Sequence, residues 1–422
     1  MTVQSDRRDD QEEYWPPANF WKYWAASTIS MTGAGVSVVA LPLTAISVLD
    51  ASDFEVGVLT AASYAATVFI GLPAGVIVQR FALRRLQVTL DLFRAVAVLT
   101  LPVAAWWGVL TLPHMLVAAF LVGLASNLFD VANATYLPQV VPKDQLTARN
   151  GLISGTYSAT QLVGPALGGV LVQAVGAAVS LILDALSYLV SAVLLARIPA
   201  TGQSTPATSH DGYLNQVMVG LRFLARHPVM RPAVIAGTVM NFAVGGILAV
   251  TPPFLVRTLE LPLGSVGLVM AVDGLGALVG ASLTAWLVAR LGSARALLVA
   301  LPIGSVLALA MPLATRSWAT VFGVGMAALG ATVVILGVIT RTHRQVASPP
   351  HLLSRVIASA RFVSWSAIPL GAALAGAAAQ AWGPRVALAA ACLASMLAPA
   401  AIWFSQIRRL RDLADADLPA PA

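Results

Sequence analysis

The stretch "GLPAGVIVQRFALRR", residues 71–85, sets three arginines, Arg80, Arg84 and Arg85, directly behind an apolar run. Lysine, arginine, aspartate and glutamate together make up only 10% of the chain, whereas 58% of its 422 residues are hydrophobic. Mean hydropathy is +0.82. Soluble domains run at about 45–50% apolar and about 25% charged, so a water-soluble fold would have nowhere to bury this surface. A bilayer accommodates it, and residues 79–85 then read as a polar turn between two membrane spans.

Working outward, runs of about 20 apolar residues predict twelve spans: 21–48, 55–78, 86–108, 112–136, 148–174, 177–197, 232–257, 264–290, 295–314, 317–341, 356–381 and 385–407. They divide the chain into a polar N-terminal tail (1–20), a first six-helix bundle (21–197), a linker (198–231), a second bundle (232–407) and a C-terminal tail (408–422). The linker opens with the Pro/Thr/Ser-rich "PATGQSTPATSHDG" and continues into "YLNQVMVGLRFLARHPVMR". There Leu214, Val217, Met218, Leu221 and Leu224 recur at helical spacing, with Arg222 and Arg226 off the stripe. An amphipathic helix lying along the membrane surface is expected. The acidic first twenty residues contain no apolar h-region, so no signal peptide is read there.

The halves echo each other. "LGGVLVQAVG" (167–176) matches "LAGAAAQAWG" (374–383), "QVVPKDQLTAR" (139–149) matches "QVASPPHLLSR" (345–355), and "VQRFALRR" (78–85) has a weaker partner in "VARLGSAR" (288–295). A near-constant offset of 206–210 residues indicates a duplicated six-span unit. Such repeats are typical of secondary transporters, which bind their load near mid-membrane between the halves. If both termini are cytoplasmic, twenty of the 25 basic residues fall on that side and three, Arg257, Arg316 and Arg385, fall outside with Asp50, Asp53 and Glu55. The positive-inside rule fixes that orientation.

Other classes are disfavoured. The basic balance lacks the aromatic-interleaved stripe of a nucleic-acid surface. The single cysteine, Cys392, rules out a disulfide framework. The five histidines show no metal spacing. Neither Lys22 nor Lys143 follows a phosphate-binding glycine loop, so ATP is not the direct energy source. No catalytic set, metal or cofactor is expected, and the chain is not read as an enzyme.

At this point the motifs resemble a known family. "GVIVQRFALRR" is similar to the helix 2–3 signature of the major facilitator superfamily, and "GPALGG" (164–169) to the end of the helix 5 signature of its proton-coupled exporters. "YLPQVVP", "LDALSYLVSAVLL" and "SRVIASARFVSWSAIPLGAALAG" resemble the branch of macrolide-efflux and enterobactin-exporter-type proteins. The resemblance covers about residues 20–410. It implies an all-α membrane fold of two pseudo-symmetric six-helix bundles in a bacterial inner (plasma) membrane. Two departures stand out. Gln79 and Ala82 occupy positions that are aspartate and glycine in the family, which implies a weakened or rewired cytoplasmic latch. Thr160 stands where a further helix 5 glycine is usual.

Ionisable groups inside spans are costly and hence functional candidates. Asp91 and Arg94, three apart, form an expected ion pair supporting the gate. Asp130 and Arg361, in different halves, are expected to form a bridge that closes the inner gate. Asp184 is a candidate for protonation or for a helix-to-helix hydrogen bond. Asp273 has no basic residue within four positions and two glycines close behind it. Because an unpaired carboxylate away from water favours its neutral form, Asp273 is read as a proton carrier or a site for a cationic load. Gly164, Pro165, Gly168 and Gly169 are the expected pivot. Tyr64, Gln161, Asn241 and Trp365 are the expected cavity residues. The reading is a monomeric, proton-coupled exporter of small amphipathic compounds. A siderophore exporter, an uptake carrier of the same fold and a non-transporting receptor remain as alternatives.

Overall fold

The computed structural model describes residues 17–71, 73–142, 145–199, 213–349 and 352–416. Among them twelve helices are long and apolar enough to cross a bilayer, and no strand occurs. The first half contains α1 (Pro17–Val48), α2 (Asp53–Ile70), α3 (Ala74–Gln79), α4 (Leu83–Trp106), α5 (Leu112–Tyr136), α6 (Leu146–Val175) and α7 (Ala177–Ala196). After α8 (Tyr213–Arg226) the second half runs through α9 (Met230–Pro253), α10 (Leu263–Leu291), α11 (Ser293–Ala308), α12 (Ala319–Ala347), α13 (Leu353–Trp365), α14 (Ala367–Trp382), α15 (Pro384–Ser395) and α16 (Leu397–Trp403).

Proline positions explain where spans read as continuous are divided. A proline has no N–H for the carbonyl four residues earlier. Pro369 therefore frees Trp365, where α13 gives way to α14, and Pro399 frees Ser395, where α15 ends. The predicted span 55–78 is likewise divided into α2 and α3, with Gly71 and Pro73 between them. Pro252 and Pro253 close α9, and a single π-helical turn, Phe254–Thr258, follows.

The packing repeats between halves. In the first, α1 lies on α6 and α7, α4 on α5 and α7, and α2 on α5; in the second, α9 lies on α14 and α15, α11 on α12 and α16, and α10 on α12. The halves meet mainly through α6 on α10 and α2 on α14. These contacts concentrate toward the end of the molecule that carries Asp53 and Arg257. There Gly57 faces Gly376, and Gly169 faces Gly267, so closely that a Cβ on either partner would strike backbone. Toward the end that carries Arg80, Arg84, Arg85, Arg290 and Arg295, here the basic end, the halves separate. Gly151 and Gly155 of α6 and Gly337 of α12 have open space beside them, and Tyr157 is 51% exposed.

The linker helix α8 departs from its sequence reading. Gly220 packs on the Arg355 carbonyl and Ser359 of the second half, and Leu224 is buried beside Val356, Met230 and Val234. Met218, on the expected membrane stripe, is 55% exposed. The glycine admits the α13 backbone, so this helix docks on protein along Gly220 and Leu224, the last residue of the predicted stripe. The side chains of Leu214 and Val217 lie outside the described residues.

Candidate substrate cavity

Between the halves lies a cavity of about 310 Å³. Its wall is lopsided: only Leu248, Met270 and Trp365 come from the second half. The first half supplies Ser37, Val38 and Leu41 from α1, Thr60, Ser63, Tyr64 and Thr67 from α2, Asn127 and Asp130 from α5, and Asp184 and Tyr188 from α7. Most of the remaining wall is Ala, Val and Leu. An apolar surface with a few convergent polar groups is the usual composition of a small-molecule site.

Behind this wall the intramembrane charges gather into one cluster. Asp91 and Arg94 form the expected ion pair, almost entirely buried. Arg94 is also clamped between the rings of Phe129 (4.2 Å) and Tyr188 (4.3 Å), and its Nη1 donates to Ser126 Oγ at 3.3 Å. Sequence separation kept Asp184 apart from this pair, yet the fold brings it within electrostatic range of Arg94. Ser37 donates to Asp184 Oδ2, while Asp184 Oδ1 and Asp91 Oδ2 have no hydrogen-bond partner among the described residues. Two buried carboxylates thus lie near one guanidinium, which can neutralise only one of them when both are ionised.

Asp130 lines the cavity toward the basic end and is exposed to it. It lies within electrostatic range of Arg94 and Arg361. No ion pair joins it to Arg361 among the described residues; Arg361 instead sits over the Trp365 ring, 4.7 Å from its centroid. The bridge expected between these two residues is not formed in the arrangement seen. Asp273 is not in the cavity wall. It lies half-buried on α10 against Gly330 of α12, with no ion-pair partner among the described residues, and within electrostatic range of Tyr64 and Tyr157. Tyr64 and Trp365 line the cavity, whereas Gln161 and Asn241 do not. The Gln161 backbone packs under Gly274, and Asn241 Nδ2 donates to the Ser364 carbonyl at 3.0 Å, tying α9 to α13.

The remaining candidates sit around the cavity. Gly164 contacts Gly35 and Gly168 contacts Val36, both on α1, with Pro165 beside Gly35; Gly169 and the Pro165 carbonyl also meet Gly267 of the second half. Arg84 donates to the carbonyls of Ala196 (3.0 Å) and Ile198, so it ties α4 to the end of α7 within one half rather than latching the halves. Arg80 and Arg85 are exposed. The side chain of Gln79 lies outside the described residues.

One cross-half contact was not singled out from sequence. Arg257, in the π turn after α9, donates to Asp53 and to the Ala51 carbonyl at the start of α2. Glu55 does not compete for it, because a reciprocal cap occupies that carboxylate: Ser52 N donates to Glu55 Oε2 at 2.7 Å and Glu55 N to Ser52 Oγ at 3.3 Å. The signal was a lone arginine on a side otherwise poor in basic residues, predicted to share that side with Asp53.

Twelve spans, two matching bundles and a cavity between them that opens at one end define an alternating-access transporter of the major facilitator class. Residues 16–421 match the transmembrane secretion effector family, and the chain belongs to that family. Among its relatives, the uncharacterised MFS-type transporter y4rN of Sinorhizobium fredii is 29% identical over 83% of this chain and 86% of its own length. The multidrug efflux pump Tap of Mycolicibacterium fortuitum is 25% identical over 93% of this chain and 97% of its own. Among solved structures, a variant of the nucleoside transporter NupG superposes with a TM-score of 0.77 at 10% identity, over 91% of this chain and 98% of that one. That likeness bears on the fold alone.

Proposed function

We propose that this chain is a proton-coupled exporter of small amphipathic compounds, with the basic end and both termini in the cytoplasm. The observation that carries the reading is the cavity itself. Its wall is apolar enough for loosely specified hydrophobic ligands, the halves separate on its basic side, and Asp184 lies in its lining with one carboxylate oxygen unpartnered among the described residues. Positive-inside topology supports the cytoplasmic assignment. The likeness to Tap over nearly the whole length of both chains supports export of drug-like compounds.

In this reading a load enters from the cytoplasm against Trp365 and Tyr64, and the halves rock about the α6–α10 and α2–α14 contacts. Asp184 takes up a proton after release to the outside, which relieves the surplus negative charge beside Arg94, and gives it up inward. Asp130 and Arg361 pair as the inner side closes. Asp273, between α10 and α12, is the second candidate carrier. The electrical driving force is about 2.3 kcal/mol per charge per 100 mV, so one proton sustains a gradient on the order of tenfold to a hundredfold. The test is efflux of a lipophilic cationic dye from energised proteoliposomes with and without a protonophore. Asp184→Asn is expected to abolish protonophore-sensitive efflux while leaving dye binding, and full protonophore-sensitive efflux by that variant would exclude the assignment.

A further inference from the structure

A second concavity lies away from the transport path. It is a groove of about 280 Å³ between α11 and the α15–α16 pair, walled by Leu298, Pro302, Pro399, Trp403 and Phe404 among others, all apolar. Its origin is local. Pro399 divides the last span at Met396, and Pro302 lies inside the facing helix, where it removes one backbone hydrogen bond. At 1.5 Å per helical residue, Leu298 and Pro302 lie roughly 7 and 14 Å along α11 from its start at the basic end. Trp403 and Phe404 are 54% and 83% exposed. On a membrane span such exposure means contact with lipid, and both rings line the groove where α16 ends.

Just beyond those rings the chain turns through Gln406–Arg409, which packs on both α16 and α11. Arg408 and Arg409 are exposed there. Arg295 is exposed on the first turn of α11, and its backbone N–H approaches the Arg411 carbonyl at 3.5 Å. Arg295, Arg408 and Arg409 make no ion pair among the described residues. The nearest carboxylate, Asp412, accepts from the backbone N–H and hydroxyl of Ser293, and touches Arg411 only at 4.0 Å. In the first half Arg84, aligned with Ala294, uses its donors on carbonyls.

We propose that this is a binding site for an anionic phospholipid, with one acyl chain lying in the α11/α15–α16 groove and the phosphate among Arg295, Arg408, Arg409 and Arg411. An apolar slot that ends at headgroup depth beside exposed guanidinium groups matches a negatively charged headgroup with an attached chain. It offers a zwitterionic lipid the slot without the charge complement. The site is independent of the transported load and of the direction of transport.

The experiment is a lipid titration of the purified full-length protein followed by native mass spectrometry. The probes are phosphatidylglycerol and phosphatidylcholine of identical chains, and inorganic phosphate. Phosphatidylglycerol is expected to be retained over phosphatidylcholine, and the Arg408→Gln/Arg409→Gln variant to lose that preference by about fivefold per arginine. Inorganic phosphate at the same concentration should displace neither lipid. Ala400→Trp, which fills the slot, should reduce both. Equal retention of the two lipids, an unchanged preference in the double arginine variant, or displacement by phosphate would each overturn the site. Because fold loss could mimic a positive result, Trp403 gives a separate readout in the unmodified protein. Phosphatidylglycerol with brominated chains is expected to quench the fluorescence that Trp403→Phe removes, and absence of that quenching also defeats the proposal.

Discussion

At the scale of single residues, charge balance inside the first half is the controlling quantity. Arg94 neutralises Asp91, lies within range of Asp184, and is held by two aromatic faces and Ser126. Removing one partner of a buried charged set leaves the others uncompensated, at a cost of about 3–5 kcal/mol. Arg94→Ala should therefore lower the thermal unfolding midpoint of the purified protein sharply. Arg94→Ala combined with Asp91→Ala should recover much of the loss, and a double variant no more stable than the single would show that the pairing is not what matters. Much of this cluster was legible in sequence as separate signals: Asp91 and Arg94 by spacing, Asp184 by its place in a span. Their union was not, because α4 and α7 come together only through the packing of the bundle. Gln161 keeps an exposed side chain outside the cavity wall, and Asn241 was misplaced for a related reason. A polar residue in a span is as well used bonding the next helix as facing a ligand, and sequence does not distinguish the two.

At the scale of elements, each half ties the turn between its second and third spans to the segment that follows its sixth, by opposite chemistry. The first half uses Arg84 on the carbonyls of Ala196 and Ile198. The second uses Asp412 on Ser293 (2.8 Å to its N–H), reinforced by Ala294 N donating to the Arg411 carbonyl at 3.0 Å and Leu413 N to Ser293 Oγ at 2.8 Å. Asp412 thereby acts as a remote cap for α11, so Asp412→Ala should cost about 1 kcal/mol, read as faster hydrogen exchange at 293–297. Unchanged exchange there would dismiss the cap. The weak echo between "VQRFALRR" and "VARLGSAR" marked these turns as equivalent, but the switch of donor and acceptor left no sequence trace. Docking of α8 carries a pH signature of its own. His227, outside the spans, accepts from the N–H groups of Val229 and Met230, both at 3.2 Å, and stacks near His343 and Phe223. Burial lowers its pKa below the ordinary 6.5. The folded state then binds fewer protons than the unfolded one between the two values, so this contribution is whole above pH 6.5 and is lost as pH falls through the folded value. Hydrogen exchange of 218–230 should accelerate below pH 6.5, and His227→Asn should flatten that dependence; a variant as acid-sensitive as the parent would assign the effect elsewhere.

At the scale of the molecule, the architecture was read almost completely from sequence, because hydropathy, the positive-inside rule and the 206–210 offset all encode it directly. The open end was not, since a chain that alternates between two states writes both into one sequence. What holds this state is narrow: glycine contacts between backbones, and the link from Arg257 to Asp53 and Ala51. Arg257→Asp should bias the protein toward opening at that end, seen as faster thiol labelling of an Ala34→Cys probe from the outer face. Adding Asp53→Arg should restore slow labelling, and equal labelling in all three backgrounds would mean that the pair does not gate. The uneven cavity wall carries an inheritance rule. With all but three of the lining side chains drawn from the N-terminal bundle, the two bundles are unequal parents of selectivity: a hybrid joining this N-terminal bundle to the C-terminal bundle of a relative would keep this protein's taste in cargo, and the reciprocal hybrid would take on the relative's.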